Sequence, residues 1–302
     1  SGIIHQVNLE RIASVVATAS HDGAEWAFPD FVIGGDSHTP MVNGMGVLGW
    51  GVGGIDAEAA LLGHAYTFPL PEVVGVRLAG QAAPLVWTTD MALLVTQRLR
   101  REKVANCAVE FFGPAAEAMS VPERATLANR APEYGATCGY FPVDGKTLDY
   151  LRMTGRPASQ VALVEAWCRA NGLFREAGDV VPIYGRVIEI DLSKLEPHIN
   201  GPYTPDLAWP ISKFAAAVKE NGWPEKLEVA LIGSCTNSSY EDLTRSASVA
   251  RQANSKGLKA ASGFTVTPGS EQVRFTAERD GLLATFEKIG GVVLANACGP
   301  CI

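Results

Sequence analysis

The last third of the chain alternates short apolar runs with stretches of helical spacing, and this order restricts the fold more than any other feature. Helices are predicted over 240–253 and from a cap at Ser270 to Arg279. Strand–helix–strand order favours a parallel sheet with right-handed crossovers, so we predict an α/β fold. Three runs have the length and composition of buried strands: 227–232, 264–267 and 292–295.

Cysteines follow the first and the third of these predicted strands. Cys235 comes after the first strand, and Cys298 and Cys301 come after the third. The carboxyl ends of parallel strands lie at one edge of a sheet, where ligand crevices form. We therefore expect the three thiols to meet in space, although they are distant in sequence.

Three thiolates leave several kinds of site open. A cluster used for electron transfer normally takes four cysteines, so three would leave one iron with an open coordination position. A Cys-x-x-Cys pair also occurs in zinc sites and in redox-active dithiols, and cysteines can be plain core residues. The remaining cysteines are predicted to be inert core thiols, although one of them could supply a fourth ligand: Cys107, Cys138 and Cys168.

Composition restricts the compartment and the partners. The chain has 302 residues, a formal net charge of -7 and 47% hydrophobic residues, which suits more than one domain core. Lysine and arginine are scattered, without the basic stripe typical of nucleic-acid or anionic-membrane binding. No apolar run is long enough for a transmembrane helix. Six cysteines are too few for a secreted disulfide framework, which favours a reducing compartment.

Further motifs accompany the cysteines along nearly the whole chain. They lie at 2–6 (Gly-Ile-Ile-His-Gln), 35–39 (Gly-Asp-Ser-His-Thr), 51–54 (Gly-Val-Gly-Gly), 129–137 (Asn-Arg-Ala-Pro-Glu-Tyr-Gly-Ala-Thr), 233–238 (Gly-Ser-Cys-Thr-Asn-Ser) and 297–301 (Ala-Cys-Gly-Pro-Cys). In content and in order, this set resembles the motifs of the aconitase family.

The resemblance implies three-layer α/β/α domains with mostly parallel sheets. Residues 1–71 would be part of a first α/β domain, 72–195 a second domain, and 196–302 a truncated third domain that carries the cysteines. The proline-rich residues 193–222 are predicted to be a linker. The chain would be a fragment, with further domains of the full-length protein before residue 1 and after residue 302.

The resemblance also implies a cofactor and an activity. Cys235, Cys298 and Cys301 would hold a [4Fe–4S] cluster, with Asn129 and Asn237 hydrogen-bonding around it. The reaction would be that of a hydro-lyase of the tricarboxylic acid cycle, aconitate hydratase, which interconverts citrate and isocitrate through cis-aconitate. This fragment alone would be incomplete.

Other functions share the same motifs. The enzymatic alternatives are dehydratases that act on 2-methylisocitrate, homocitrate or isopropylmalate. An alternative of another class is an RNA-binding regulator that is controlled by its cluster. The acidic net charge disfavours this function, which would apply only to the cluster-free protein. The implied partners are a small tricarboxylate or hydroxy-diacid substrate and the remaining domains of the full-length protein. No membrane partner is expected. The compartment would be the cytoplasm, or the mitochondrial matrix in a eukaryote.

Four catalytic residues carry over from the family, as two carboxylate–histidine pairs. His5 would pair with Asp36, and His38 with Glu133. Such pairing fixes the imidazole tautomer and raises its pKa, which suits proton transfer to a leaving hydroxyl. Asp36, Ser37 and His38 would also contact the substrate.

A glycine-rich stretch at 49–54 matches the pattern Gly-x-Gly-x-x-Gly. Dinucleotide binding through that pattern requires a strand directly before it, and Gly44 and Gly46 make poor strand material. We predict instead that these glycines allow a helix to pack closely against a loop.

Overall fold

The computed structural model describes residues 1–234 and 236–298. Within these ranges the strands are β1 (Val16–His21), β2 (Ala24–Pro29), β3 (Phe31–Gly34), β4 (Leu48–Gly51), β5 (Val73–Ala79), β6 (Ala108–Phe112), β7 (Cys138–Tyr140), β8 (Arg186–Asp191), β9 (His198–Asn200), β10 (Ala208–Pro210), β11 (Val229–Ile232), β12 (Gly263–Val266) and β13 (Gly291–Val293).

The α-helices of the same ranges are α1 (Ile4–Val7), α2 (Gly54–Leu61), α3 (Thr88–Glu102), α4 (Pro114–Ala118), α5 (Val121–Ala128), α6 (Ala131–Tyr134), α7 (Gly145–Met153), α8 (Ala158–Ala170), α9 (Ile211–Asn221), α10 (Tyr240–Ser255), α11 (Glu271–Arg279) and α12 (Leu282–Lys288). A π-helix covers Asn8–Ile12, and 3-10 helices cover Thr39–Met45 and Leu192–Lys194. No helix of the described residues is long and apolar enough to cross a membrane.

The chain divides into two compact units, which we call the terminal unit and the central unit. The terminal unit consists of Ser1–Asn8 and Ala216–Ile302, and the central unit of Leu9–Ala215. Apart from the antiparallel pairs β1–β2 and β9–β10, the strand pairs of the described residues are parallel. The predicted α/β class with mostly parallel sheets is confirmed. The domain boundaries at 71/72 and 195/196 stay a prediction.

The central unit is built on a four-stranded parallel sheet in the order β7-β6-β5-β8. β5 is rich in valine and buried along most of its length, as expected for a central strand of a parallel sheet. Helix α3 contributes Ala92, Val95 and Leu99 to the same core. The fully buried side chains of this core include Val74, Val76, Leu78, Val95, Leu99, Val109, Phe111 and Leu127.

A second, two-stranded parallel sheet pairs β3 with β4 in the central unit. The buried 3-10 helix between them is held by Asn43, whose amide donates to Pro40 O and whose Oδ1 accepts from Gly49 N. A side chain at Gly49 would place its first carbon 2.7 Å from the Thr39 carbonyl oxygen.

The glycine pattern at 49–54 therefore forms part of a strand rather than a loop. A 3-10 helix precedes β4, so no strand stands directly before the pattern, as the sequence indicated. However, Gly49 and Gly51 lie within β4 itself, and α2 begins at Gly54. The contact of Gly49 with Thr39 shows that close backbone packing requires at least this glycine.

The terminal unit contains a three-stranded sheet whose strands are parallel, as predicted, and whose order is β11-β12-β13. Helices α10, α11 and α12 pack together, and their buried cluster includes Leu243, Val273 and Phe286. Ser239 and Ser270 cap α10 and α11, and each accepts a hydrogen bond from the third backbone amide of its helix. Local capping and apolar spacing thus account for the helices of this unit.

Helix α5 ends at Ala128, and a separate helix α6 follows with Pro132 in its first turn, where a missing N–H costs nothing. The predicted linker 193–222 contains the boundary between the two units at 215/216. It is not an irregular segment, because the pair β9–β10 and helix α9 occupy most of it.

Replacing Ser270 with alanine is expected to lower the free energy of unfolding by about 0.5–2 kcal/mol, since Val273 N would lose its 3.1 Å acceptor. Urea denaturation followed by circular dichroism measures the loss. Ser248→Ala in the exposed middle of α10 is the control and should change stability by less than about 0.5 kcal/mol. Equal stability of both variants would contradict the capping role of Ser270.

Candidate active site

The carboxyl ends of β3 and β4 open into a cavity of about 720 Å³ in the central unit. Asp36 and Ser37 follow β3, and Val52 follows β4, so the parallel pairing brings these residues to one edge of the sheet. Pro132 and Thr137 line the same cavity. The structure therefore brings the motif at 35–39 and the motif at 129–137 together around one space.

Asp36 and His38 form a compact hydrogen-bonded turn at the mouth of this cavity. The His38 amide donates to Asp36 Oδ1 at 2.6 Å, and His38 Nδ1 lies 3.1 Å from the same oxygen. Ser37 Oγ also lies 3.1 Å from His38 Nδ1. A carboxylate at this distance favours the tautomer with the proton on Nδ1, which leaves Nε2 as the proton acceptor. Sequence reasoning did not predict this contact; the pairs His5–Asp36 and His38–Glu133 stay predictions.

Glu133 lies on α6, beside the second lining segment. Its Oε1 is 3.4 Å from Arg130 Nη1, and its backbone carbonyl accepts a hydrogen bond from Arg100 Nη1 at 2.8 Å. Its other oxygen, Oε2, is buried and has no hydrogen-bond partner among the described residues. A buried carboxylate oxygen without a partner is rare and can bind a further donor. Asn129, at the end of α5, is buried.

Aromatic side chains form the apolar side of the cavity. The ring centroids of Trp50 and Phe68 are 4.3 Å apart, and Tyr66 stands 5.9 Å from Phe68. Among the described residues that line the cavity, none is a lysine or an arginine, whereas Asp36 and Glu72 are acidic. Sequence reasoning missed this wall. The only signal was the clustering of aromatic residues and prolines at 66–71.

The predicted metal ligands belong to the terminal unit. Cys235 and Cys301 lie outside the described residues, and Cys298 is exposed in the segment after β13. Asn237 is half-buried in the loop after β11. Across residues 1–234 and 236–298, no three histidine, cysteine or acidic side chains converge as a metal site. The meeting of the three thiols stays a prediction.

Strand order nevertheless brings the two cysteine-bearing loops to one edge of the sheet. β12 lies between β11 and β13, and the ladder continues beyond the strands, since Thr267 N donates to Ile232 O and Leu294 N to Val266 O, both at 2.8 Å. The loop after β12 is thus flanked on one side by the loop of Cys235 and on the other by that of Cys298.

The first residues of the chain pack against this middle loop. Ile3 N donates to Gly269 O at 3.0 Å, and Glu271 N donates to Ser1 O at 2.9 Å. A side-chain carbon at Gly269 would lie 3.1 Å from Gln6 Cγ and 3.2 Å from Ser234 O. The motif that contains His5 therefore belongs to the same unit as the cysteine motifs, a long-range association that the sequence did not reveal.

The other cysteines are buried, as predicted for core residues: Cys107, Cys138 and Cys168. Burial raises the pKa of Cys138 to about 11, and it raises the pKa of Cys168 as well. The thiols of Cys138 and Cys168 therefore stay protonated at neutral pH, which makes them poor nucleophiles and poor metal ligands. His21 and His64 are exposed, in agreement with a surface role.

Comparison with known proteins gives one consistent family. The model of the aconitase family (aconitate hydratase) matches residues 1–302. The chain is 48% identical to mitochondrial aconitate hydratase of Emericella nidulans and 47% identical to that of Schizosaccharomyces pombe, each over 303 residues, covering 100% of the chain and 36% of the relative.

A bacterial relative, aconitate hydratase A of Bacillus subtilis, is 41% identical over 337 residues, with 100% of the chain and 37% of the relative covered. The chain thus spans little more than a third of the length of these relatives. The crystal structure of Thermococcus kodakaraensis aconitase X covers 76% of the chain and 44% of that protein, with 14% identity and a TM-score of 0.41, too low to define the fold. On the match of the family model over all of its residues, the chain belongs to the aconitase family.

Proposed function

We propose that the protein containing this chain is a [4Fe–4S]-dependent hydro-lyase, an aconitate hydratase that interconverts citrate and isocitrate through cis-aconitate. The observation that carries the proposal is the strand order β11-β12-β13, which directs the segments after β11 and β13 to one edge of the sheet. In the sequence, Cys235 follows β11 and Cys298 follows β13. Family membership and the names of the relatives support the same activity.

The donor set suits such a cluster. Cysteine thiolates are its usual ligands, and the terminal unit offers Cys235, Cys298 and Cys301. Cys298 is exposed, so its thiol is accessible to an incoming cofactor, unlike the three buried cysteines. When bound through three cysteines, the cluster supplies an iron with an open coordination position that acts as a Lewis acid.

The residues of the central unit supply proton transfer and orientation. A hydro-lyase must protonate the departing hydroxyl group. His38, held at Nδ1 by Asp36, can carry that proton on Nε2. Ser37 lines the cavity and can donate a hydrogen bond to a substrate carboxylate. Glu133, one of whose oxygens has no partner among the described residues, is a second proposed proton-handling group of this unit. His5, which belongs to the terminal unit, is a third.

The cavity lining also indicates what the rest of the protein must contribute. A tricarboxylate carries several negative charges, whereas the cavity presents the acidic side chains Asp36 and Glu72. Cationic side chains from the remaining domains would therefore bind the substrate carboxylates. A reducing compartment, the cytoplasm or the mitochondrial matrix of a eukaryote, suits a thiolate-held cluster.

Anaerobic purification tests the proposal directly. The chain, expressed together with any coding sequence that flanks it in its gene, should contain about four iron and four sulfide per molecule. It should also convert citrate and isocitrate to cis-aconitate, followed by the absorbance of the product. A colourless protein with one zinc would overturn the cofactor, and turnover of methylisocitrate but not of citrate would overturn the substrate.

A further inference from the structure

A hydrogen bond joins the segment before Cys298 to the start of helix α11. Asn296 Nδ2, two residues before that cysteine, donates to Glu271 Oε1 at 2.5 Å. The other oxygen of the carboxylate, Oε2, lies 3.4 Å from Arg274 Nη1. Donors thus face both oxygens of Glu271, which fixes the orientation of its carboxylate group. Hydrogen bonds to an ionised carboxylate are stronger than those between neutral groups.

The acceptor, Glu271, belongs to a capped helix that is anchored in the core. Glu271 is the first residue of α11, directly after the buried cap Ser270, whose side chain accepts from Val273 N at 3.1 Å. Val273 and Ala277 anchor the helix in the core of the terminal unit. The segment that contains Asn296 is also tethered at its start, where Leu294 N donates to Val266 O. The bond to Glu271 adds a tether two residues before Cys298.

We propose that Glu271 is a positioning residue for the terminal cysteine pair. Through Asn296, its carboxylate fixes the conformation of residues 294–298 and so holds the thiol of Cys298 at the sheet edge that faces the cluster. The inference rests on the proposed cluster and adds a residue in the neighbouring helix that acts on the ligand without touching it. Groups that orient metal ligands in this way typically change metal affinity 10- to 100-fold when they are removed.

The test compares three variants of the protein purified with its cluster. Glu271→Ala removes the acceptor, Glu271→Gln keeps a carbonyl oxygen for Asn296, and Glu278→Ala removes an exposed carboxylate from the same helix as a control. Iron release to a ferrous chelator is followed under anaerobic conditions. Hydrogen exchange of the amides at 294–298 is measured in the cluster-free protein.

Glu271→Ala should release iron about 10-fold faster than the wild type, and its amides at 294–298 should exchange faster. Glu271→Gln and Glu278→Ala should stay within about 2-fold of the wild type. If iron release and amide exchange are unchanged in Glu271→Ala while the wild type holds its cluster, the positioning role is overturned and the proposed function is not. A wild type without iron and sulfide would overturn the proposed function and this inference with it. Equal acceleration in both Glu271 variants would also overturn it, since the glutamine keeps the acceptor.

Discussion

Replacing Cys298 with serine is expected to abolish hydro-lyase activity and to lower the iron content of the purified protein more than 10-fold. A hydroxyl group is a far weaker ligand for iron–sulfur clusters than a thiolate, and the proposed set of three ligands has none to spare. Because even groups that only orient a ligand are worth about 10-fold in metal affinity, loss of a ligand itself should exceed that figure. Iron and sulfide analysis, with the visible absorbance of the cluster, measures the result.

Cys168→Ala provides the matched control. Cys168 is a buried residue of α8 whose pKa is raised by burial, so its removal should leave the iron content unchanged. The small cavity left behind should cost about 1–2 kcal/mol of stability. Retention of a full cluster in Cys298→Ser, or its loss in Cys168→Ala, would show that the wrong cysteines are assigned as ligands.

Replacing Asp144 with alanine is expected to lower the free energy of unfolding by about 3–5 kcal/mol. Its partner Arg124 is 1% exposed, and the two side chains form a bidentate pair, with Nη1–Oδ1 at 3.0 Å and Nη2–Oδ2 at 2.5 Å. Removal of the carboxylate leaves a buried cation whose remaining contacts include the Phe141 ring, 5.7 Å from Cζ, and the Glu117 carbonyl oxygen. Denaturation in urea measures the change.

The same carboxylate also caps α7, since Asp144 Oδ1 accepts from Thr147 N at 3.2 Å. Loss of the cap adds about 1 kcal/mol. Asp149→Ala on the same helix is the control, because its pair with Arg152 is exposed to solvent and worth less than about 1 kcal/mol. If both aspartate variants lose equally little stability, the Arg124–Asp144 pair is not the buried anchor of this region.

The sequence predicted the terminal unit well where the signals are local. The cap at Ser270 and the end of its helix at Arg279 match the structure, because capping side chains and apolar spacing act within one or two helical turns. The parallel direction of β11, β12 and β13 followed from the strand–helix alternation. The proline content of residues 193–222 indicated a linker but not its secondary structure, in which Pro210 ends β10 and directly precedes helix α9.

The parts of the site that depend on distant contacts could not be predicted from the residues alone. The contact between His38 and Asp36 depends on the turn after β3, and the aromatic wall depends on Phe68 reaching Trp50 from another segment. The bond between Asn296 and Glu271 joins the segment after β13 to the first residue of α11, and no sequence pattern links the two side chains. Such contacts follow from the fold, not from sequence periodicity.

The membership of residues 1–8 in the terminal unit has a consequence for biosynthesis. Residues 1–8 are translated before Leu9–Ala215, yet their partners at Gly269, Ser270 and Glu271 are translated more than two hundred and fifty codons later. Leu9–Ala215 contains its own core and can fold during that interval. The hydrogen bonds between residues 1–3 and residues 269–271 can therefore form only after the intervening unit has been synthesised.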